Sequence, residues 1–298
     1  MNIQIKFAIL AIIIVIPLSS IVVYGTDSNQ QFQKIESDKL QIISSFYPLH
    51  EFSQIIGQEK VDAILLVPIG VEPHDWEPTI KDVQQMQKSD LIIINGIGFE
   101  NWVDSLHENN YQGKIIDTSN KISIKNLDDN SKDPHIWLNP VTVKTQVQNI
   151  ANAFSDSDPE NQQYYQSNAA KYIEQLDLLD VKIRNELSQC NNDFIAFHDA
   201  FSYFADEYDL NQHTIISPNN SHGEATARTL ENIISTANTL NIKVIFSEEA
   251  VDPKTSEIIA NEIGGKVLIL SPIEIASDGN YISKMTENLK NLKVALCR

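Results

Sequence analysis

The amino-acid sequence predicts an α/β protein of two Rossmann-like lobes with mostly parallel sheets, joined by one long rigid helix. Three observations lead there. At 298 residues, 42% of them hydrophobic, the chain exceeds one usual domain and carries apolar material for two cores. Short apolar runs alternate with segments of helical composition on both sides of the middle, the pattern of parallel sheets covered by helices. Between the halves, Tyr165, Ala169, Tyr172, Leu176, Leu179, Ile183 and Leu187 form one apolar stripe at helical spacing.

In the first lobe, strands are expected at Leu40 to Phe46, Val61 to Val67, Leu91 to Ile94 and Lys114 to Ile116. The run Leu91-Ile92-Ile93-Ile94 is apolar without alternation, as a strand buried on both faces must be. Helices are expected at Pro48 to Ile56, closed by Gly57, then at Thr79 to Lys88 and Phe99 to Leu106. Asn95-Gly96-Ile97-Gly98 lacks the third glycine and acidic partner of a dinucleotide loop, so it reads as a turn. Asn139-Pro140 opens a helix to about Phe154, proline being suited to the first turn.

Asp158-Pro159 opens the long helix, with aspartate as its cap. About thirty residues would span roughly 45 Å and act as a stiff spine. A dimeric coiled coil is the competing reading of the stripe, but no sustained charge pattern flanks it. The second lobe repeats the alternation, with strands at Asp193 to Phe197, His213 to Ile216, Lys243 to Phe246 and Lys266 to Leu270. Its helices are expected at Ala200 to Tyr208, Ala225 to Leu240, from the Asp252-Pro253 cap to Gly264-Gly265, and Tyr281 to Leu292. The expected limits are therefore 1–25 for an N-terminal segment, 40–157 for the first lobe, 158–189 for the helix and 190–298 for the second lobe.

Residues Phe7 to Tyr24 follow Lys6 and precede a polar stretch, which fits a signal peptide or an N-terminal membrane anchor and an exported protein, periplasmic or at the cell surface. No cysteine stands directly after that run, so a lipid-modified N-terminal cysteine is not expected. The two cysteines, Cys190 and Cys297, allow one disulfide or two separate buried thiols. A formal net charge of -18 argues against nucleic acid and suits a soluble protein that handles cations.

Three of the seven histidines stand in unusual settings. His74 in Glu72-Pro73-His74-Asp75-Trp76-Glu77-Pro78 and His135 in Asp133-Pro134-His135-Ile136-Trp137-Leu138-Asn139-Pro140 are each bracketed by prolines, which restrict the backbone around them. His198 follows the apolar run Phe194 to Phe197. His74 and His198 lie past the carboxyl ends of strands, where open parallel sheets collect ligands. With no HExxH or CxxC in the chain, a shared ion would have to join distant segments, and we expect one zinc held by all three in the cleft between the lobes. Glu248 or Glu249, following Phe246, could supply a fourth ligand or an acceptor that orients an imidazole N–H. His222 could be an extra ligand and His50 a supporting residue, whereas His107 and His213 read as surface.

The segments EPHDWEP, NGIGFENW, DPHIWLNP, FHDAFSYF, FSEEAVDPKT and LSPIE resemble, in order and spacing, the zinc and manganese receptors of ABC transporters, a class of extracytoplasmic solute-binding proteins. The resemblance covers nearly all of the chain from Leu40 on. It implies two α/β lobes bridged by a rigid helix, His74, His135 and His198 as metal ligands, and a monomer that partners an ABC permease and its ATPase. Manganese-favouring members often carry glutamate at the position of His198, so three imidazoles favour Zn2+ over Mn2+. Two departures stand out. Ser271 replaces an aspartate common before the proline of the last motif, leaving the fourth position to water, Glu248 or another residue, and Ile122 to Lys132 lacks a histidine-rich loop. A second class remains open at this point: an exported zinc hydrolase, with water in the fourth position and Glu248 as base.

Overall fold

The structure, a computed structural model, describes residues 39–108, 111–127, 131–216, 225–249, 251–276 and 278–297. The segment 1–25 and His222 lie outside the described residues. Strands β1 (Leu40–Ser44), β2 (Val61–Leu65), β3 (Leu91–Ile94) and β4 (Lys114–Asp117) form a wholly parallel sheet in the order β2-β1-β3-β4. Strands β5 (Asp193–Ala196), β6 (Asn211–Thr214), β7 (Val244–Ser247) and β8 (Lys266–Ile269) repeat it as β6-β5-β7-β8. The two-lobe α/β expectation holds. In each sheet the order reverses between the central strands, and a crevice opens at their carboxyl ends.

Helices α1 (Tyr47–Gly57), α2 (Ile80–Met86) and α3 (Val103–Glu108) belong to the first sheet, and α4 (Pro140–Ser157) closes it. The spine α5 (Gln162–Leu187) follows, then α6 (Ser202–Glu207), α7 (Ala227–Thr239), α8 (Lys254–Glu262) and α9 (Tyr281–Leu296) around the second sheet. Central strands β3 and β7 are buried along their whole length, which is why their sequences show no alternation.

All seven residues of the apolar stripe on α5 are buried, packed within the chain's own core against α1, α4 and α9. A stripe covered by its own chain has no face left for a coiled-coil partner. The helix is shorter than the sequence suggests, 26 residues, because Pro159–Asn161 forms a 3-10 turn before it. Asp158 serves that turn rather than capping the α-helix: its carboxylate accepts from Asn161 Nδ2 at 2.8 Å and Tyr165 OH at 2.6 Å.

Two other boundaries move for physical reasons. Strand β6 begins at the polar Asn211 and ends before the apolar Ile215, because pairing with Asp193 to Ala196 sets its register while Ile215 and Ile216 continue into the core. Helix α3 starts four residues after Phe99, since Glu100 is drawn back into the preceding turn. Its carboxylate accepts from Asn95 N at 2.7 Å, Gly96 N at 3.0 Å and Ser45 Oγ at 2.7 Å. Gly96 in that turn has φ +84°, and a Cβ there would overlap Asp117.

Cys190, just past α5, is bonded to Cys297 at the end of α9, with the Cα atoms 4.4 Å apart. The bond joins residues 107 apart in sequence, and the stretch between them contains the second sheet. In the chain-entropy picture such a crosslink removes about 4–5 kcal/mol of denatured-state freedom. Reductant is therefore expected to lower the urea midpoint of the wild-type protein, and Cys190→Ser/Cys297→Ser should sit at that lower midpoint with or without it. Identical midpoints in all cases would assign the bond no stabilising role.

Candidate metal centre

The first histidine loop leaves β2 and passes Leu66 and Val67, both buried, before Pro68 turns it outward. Glu72 Oε1 accepts the backbone N–H of His74 at 3.1 Å, and the Phe99 ring packs edge-on against the imidazole with centroids 4.9 Å apart. These contacts hold the ring over the crevice. The second segment is built as a compact turn. Asp133 Oδ1 accepts from both the backbone N of His135, at 3.0 Å, and its ring Nδ1, at 2.8 Å, while Asn95 Nδ2 holds Pro134 O at 2.8 Å. The fixed φ of Pro134 lets one carboxylate reach two residues on. His198 follows β5 by two residues, and its Nδ1 meets Glu248 Oε1, just past β7, at 2.6 Å. Those two residues flank the point where the second sheet reverses its order.

The three imidazoles converge on a fourth group, Glu274. His74 Nε2 lies 3.3 Å from His135 Nε2 and 3.3 Å from Glu274 Oε1, and both His135 Nε2 and His198 Nε2 lie 3.7 Å from that oxygen. All four donor atoms fall within 4.8 Å of one another. A tetrahedral zinc with bonds near 2.0–2.1 Å needs donors roughly 3.3 Å apart. Several of these distances already match, and the rest exceed it by a side-chain adjustment. His135, His198 and Glu274 are buried, and His74 alone is partly exposed. His198 Nε2 is buried with no hydrogen-bond partner among the described residues, and it faces Glu274 Oε1 from 3.7 Å, beyond hydrogen-bond reach.

The sequence-selected residues sort clearly. His74, His135 and His198 meet. Glu248 is no member of the donor group but stands behind His198 as its acceptor, one of the two roles allowed for it. Glu249 turns to the rim and pairs with Lys284 at 3.3 Å. His50 lies outside the group, and His213 pairs with Asp193 at 3.0 Å on the edge strand, partly exposed as a surface residue would be. Glu274 and Asp133 were missed, although both stand inside segments that drew attention, LSPIE and DPHIWLNP. An aspartate two residues before a histidine across a proline was the local signal for Asp133. Glu274 had none, because only its meeting with two lobes marks it.

Burial disfavours charge on every member, and the neighbours decide the outcome. For Glu274 burial alone would raise the carboxyl, but His74, His198 and His135 bring it down to about 2. Burial likewise opposes a charged His198, yet Glu248 and then Glu274 carry it up to about 9. His74 is raised too, Glu274 and Glu72 overcoming burial, whereas for His135 burial wins over Asp133 and the ring is lowered.

A family model, zinc-uptake complex component A, periplasmic, matches residues 42–295. The chain belongs to this family. It is 34% identical over 297 residues to the high-affinity zinc uptake system protein ZnuA of Bacillus subtilis, the match covering 91% of this chain and 92% of that one. A crystal structure of ZnuA superposes with TM-score 0.80 at 32% identity, covering 87% of this chain and 99% of the other. The Zn(II)-bound AdcA of Streptococcus pneumoniae gives TM-score 0.77 at 31% identity over 86% of this chain, which spans 57% of that longer protein. These are transport receptors rather than enzymes. The geometry agrees, since a hydrolytic zinc keeps a water in the fourth position, where here the Glu274 carboxylate stands.

The charge arrangement sets a pH profile for the metal-free protein. Glu274, depressed from 4.5, adds stability above pH 4.5 that is lost as pH falls through about 2. His198, raised from 6.5, adds stability below pH 6.5 that is lost as pH rises through about 9. In chelator, Tm is expected to fall between pH 6.5 and 9, and Glu248→Gln should flatten that limb. An equally steep fall in the variant would mean that Glu248 does not hold the His198 charge.

Proposed function

We propose that this chain captures Zn2+ outside the cytoplasm, with His74, His135, His198 and Glu274 as its ligands, and delivers it to an ABC permease driven by an ATPase. The observation that carries the reading is the meeting of three imidazole nitrogens and one carboxylate oxygen, drawn from both lobes, at distances suited to one tetrahedral ion. Asp133 behind His135 and Glu248 behind His198 fix which ring nitrogen faces the ion and make that nitrogen a better donor. Three nitrogens to one oxygen favour zinc over manganese, which prefers oxygen.

A zinc-uptake relative and the Zn(II)-bound AdcA support the same cargo. The Cys190–Cys297 bond supports an oxidising, extracytoplasmic setting. Residues 1–25 would then serve as the signal peptide or membrane anchor, followed by a first lobe over 40–157, the linking helix over 158–189 and a second lobe over 190–298, acting as a monomer.

Purified protein is expected to take up about one zinc per chain with release of protons, because imidazoles must be neutral to bind. At zinc a hundredfold above Kd the gain is about 2.7 kcal/mol, and equal manganese should raise Tm less. His74→Ala, His135→Ala, His198→Ala and Glu274→Gln should each weaken zinc binding by about tenfold or more, on the order of 1.4 kcal/mol. Unchanged metal content in all four, read by titration against a chelating dye, would remove the assignment.

A further inference from the structure

We propose that Trp137 and Asn288 form a clamp that positions Glu274, so that an indole from the first lobe sets the place of the metal-facing carboxylate on the second. This deepens the zinc-capture reading and rests on it. Glu274 lies in the loop after β8, where Pro272 and a hydrogen bond from Ile273 N to Ser271 Oγ constrain the chain locally. Two further anchors come from outside the loop. Trp137 Nε1 donates to Pro272 O at 2.8 Å, across 135 residues of sequence. From α9, Asn288 takes Ser271 at both ends, Oδ1 accepting from Ser271 N at 2.8 Å and Nδ2 donating to Ser271 O at 2.7 Å. Ser271 Oγ in turn accepts from Ile273 N at 3.2 Å.

Between the clamp and Glu274, Ile273 has φ +55°, a left-handed backbone that a β-branched side chain rarely adopts. Such a conformation persists only where its surroundings over-determine it, and these hydrogen bonds do so. Released from them, Ile273 would return to an ordinary φ and swing Glu274 off the three imidazoles. Trp137 cannot follow such a movement. It is fully buried, its ring packs against Phe46 and Phe99 at 4.7 and 5.2 Å between centroids, and Tyr281 OH donates to its carbonyl at 2.9 Å.

Because Trp137 is two residues beyond His135, one rigid turn carries both an imidazole donor and the hydrogen bond that places the carboxylate opposite it. A carboxylate held at one angle offers one oxygen and completes a four-coordinate site. Loosened, it can offer both oxygens or leave room for water, which suits ions of higher coordination number such as manganese.

The test uses Zn2+, Mn2+ and Co2+ alone as probes on the full chain, Co2+ because its visible absorption is strong when four-coordinate and weak at higher coordination. Trp137→Phe removes the N–H and keeps a ring in place. It should lower zinc affinity about tenfold or more, in the range typical of groups that support ligands, weaken the Co2+ band and narrow the preference for zinc over manganese. In a Glu274→Gln background the same change should cost less than about twofold, since the group it positions is already gone. Asn288→Ala is put through the same cycle and should behave alike, which keeps the test open should Trp137→Phe fold poorly. Wild-type affinity and spectrum in the single variants, or an equal loss in both backgrounds, would overturn the clamp. Were Glu274→Gln itself to bind zinc as the wild type does, Glu274 would be no ligand and the clamp would be overturned, while the capture reading would still rest on the three imidazoles and fall only if their variants also kept the metal.

Discussion

The structure turns on an electrostatic arrangement that protein atoms alone leave incomplete. Three imidazoles and one carboxylate crowd into a space that fits a single ion, and burial deprives them of water. In the metal-free protein the Glu274 carboxylate answers part of this by drawing protons onto His74 and His198. That solution is partial. His198 Nε2 has no hydrogen-bond partner among the described residues, and His135, lowered by burial, faces the same oxygen at 3.7 Å. A divalent cation can replace those protons and satisfy every donor at once, which is the physical sense in which the site asks for a metal.

Holding such a site open requires that the backbone around it not relax, and each donor sits on a segment with its own constraint. Asp133 pins both the backbone and the ring of His135, and the second lobe reinforces it: Ser202 Oγ donates to Asp133 Oδ2, and Tyr203 OH donates to Asp133 O at 3.0 Å. His198 is pinned by Glu248 through both its ring and its backbone N. Further back, Glu51 on α1 accepts the backbone N–H of Tyr281 at the start of α9 with both oxygens at 2.9 Å, joining elements of the two lobes through a buried carboxylate. The spine's buried stripe completes the frame. Three polar links across the lobes, Ser202 and Tyr203 to Asp133 and Trp137 to Pro272, stand within two residues of His135 or Glu274, so they tie the site's geometry to the lobe arrangement.

Much of this was legible in the sequence, and the boundary of legibility is instructive. Proline bracketing exposed His74 and His135, and position at a strand end exposed His198, because both are local constraints on where a side chain can point. The spine was legible because a stripe of period 3.6 survives in any context. What escaped were properties of contacts between distant segments. Glu248 and Glu249 are adjacent residues past one strand, and only the course of the chain sends one to His198 and the other to Lys284. The start of β6 at Asn211 escaped because edge pairing outweighed composition. Ser271, which stood out as a poor ligand in a ligand's place, is a structural residue that braces the turn toward Glu274. The family pattern pointed to position 271 of this loop, whereas Glu274, three residues on, is the side chain that faces the imidazoles.

The donor set also explains why outer carboxylates matter as much as inner ones. Zinc with three neutral imidazoles and one carboxylate leaves one positive charge in a buried volume, an expensive residue of charge in low dielectric. Asp133 and Glu248, each hydrogen-bonded to the far nitrogen of a ligand ring, place negative charge one ring-width from the ion without entering its coordination sphere. Together they more than offset that one positive charge while leaving three nitrogens and a single oxygen facing the metal. Had either carboxylate moved inward as a direct ligand, the charge would balance equally well but the site would become oxygen-rich and favour harder ions. With zinc held as proposed, its selectivity would depend on keeping those acids behind the rings, and the short, pinned segments that hold the rings would keep them there.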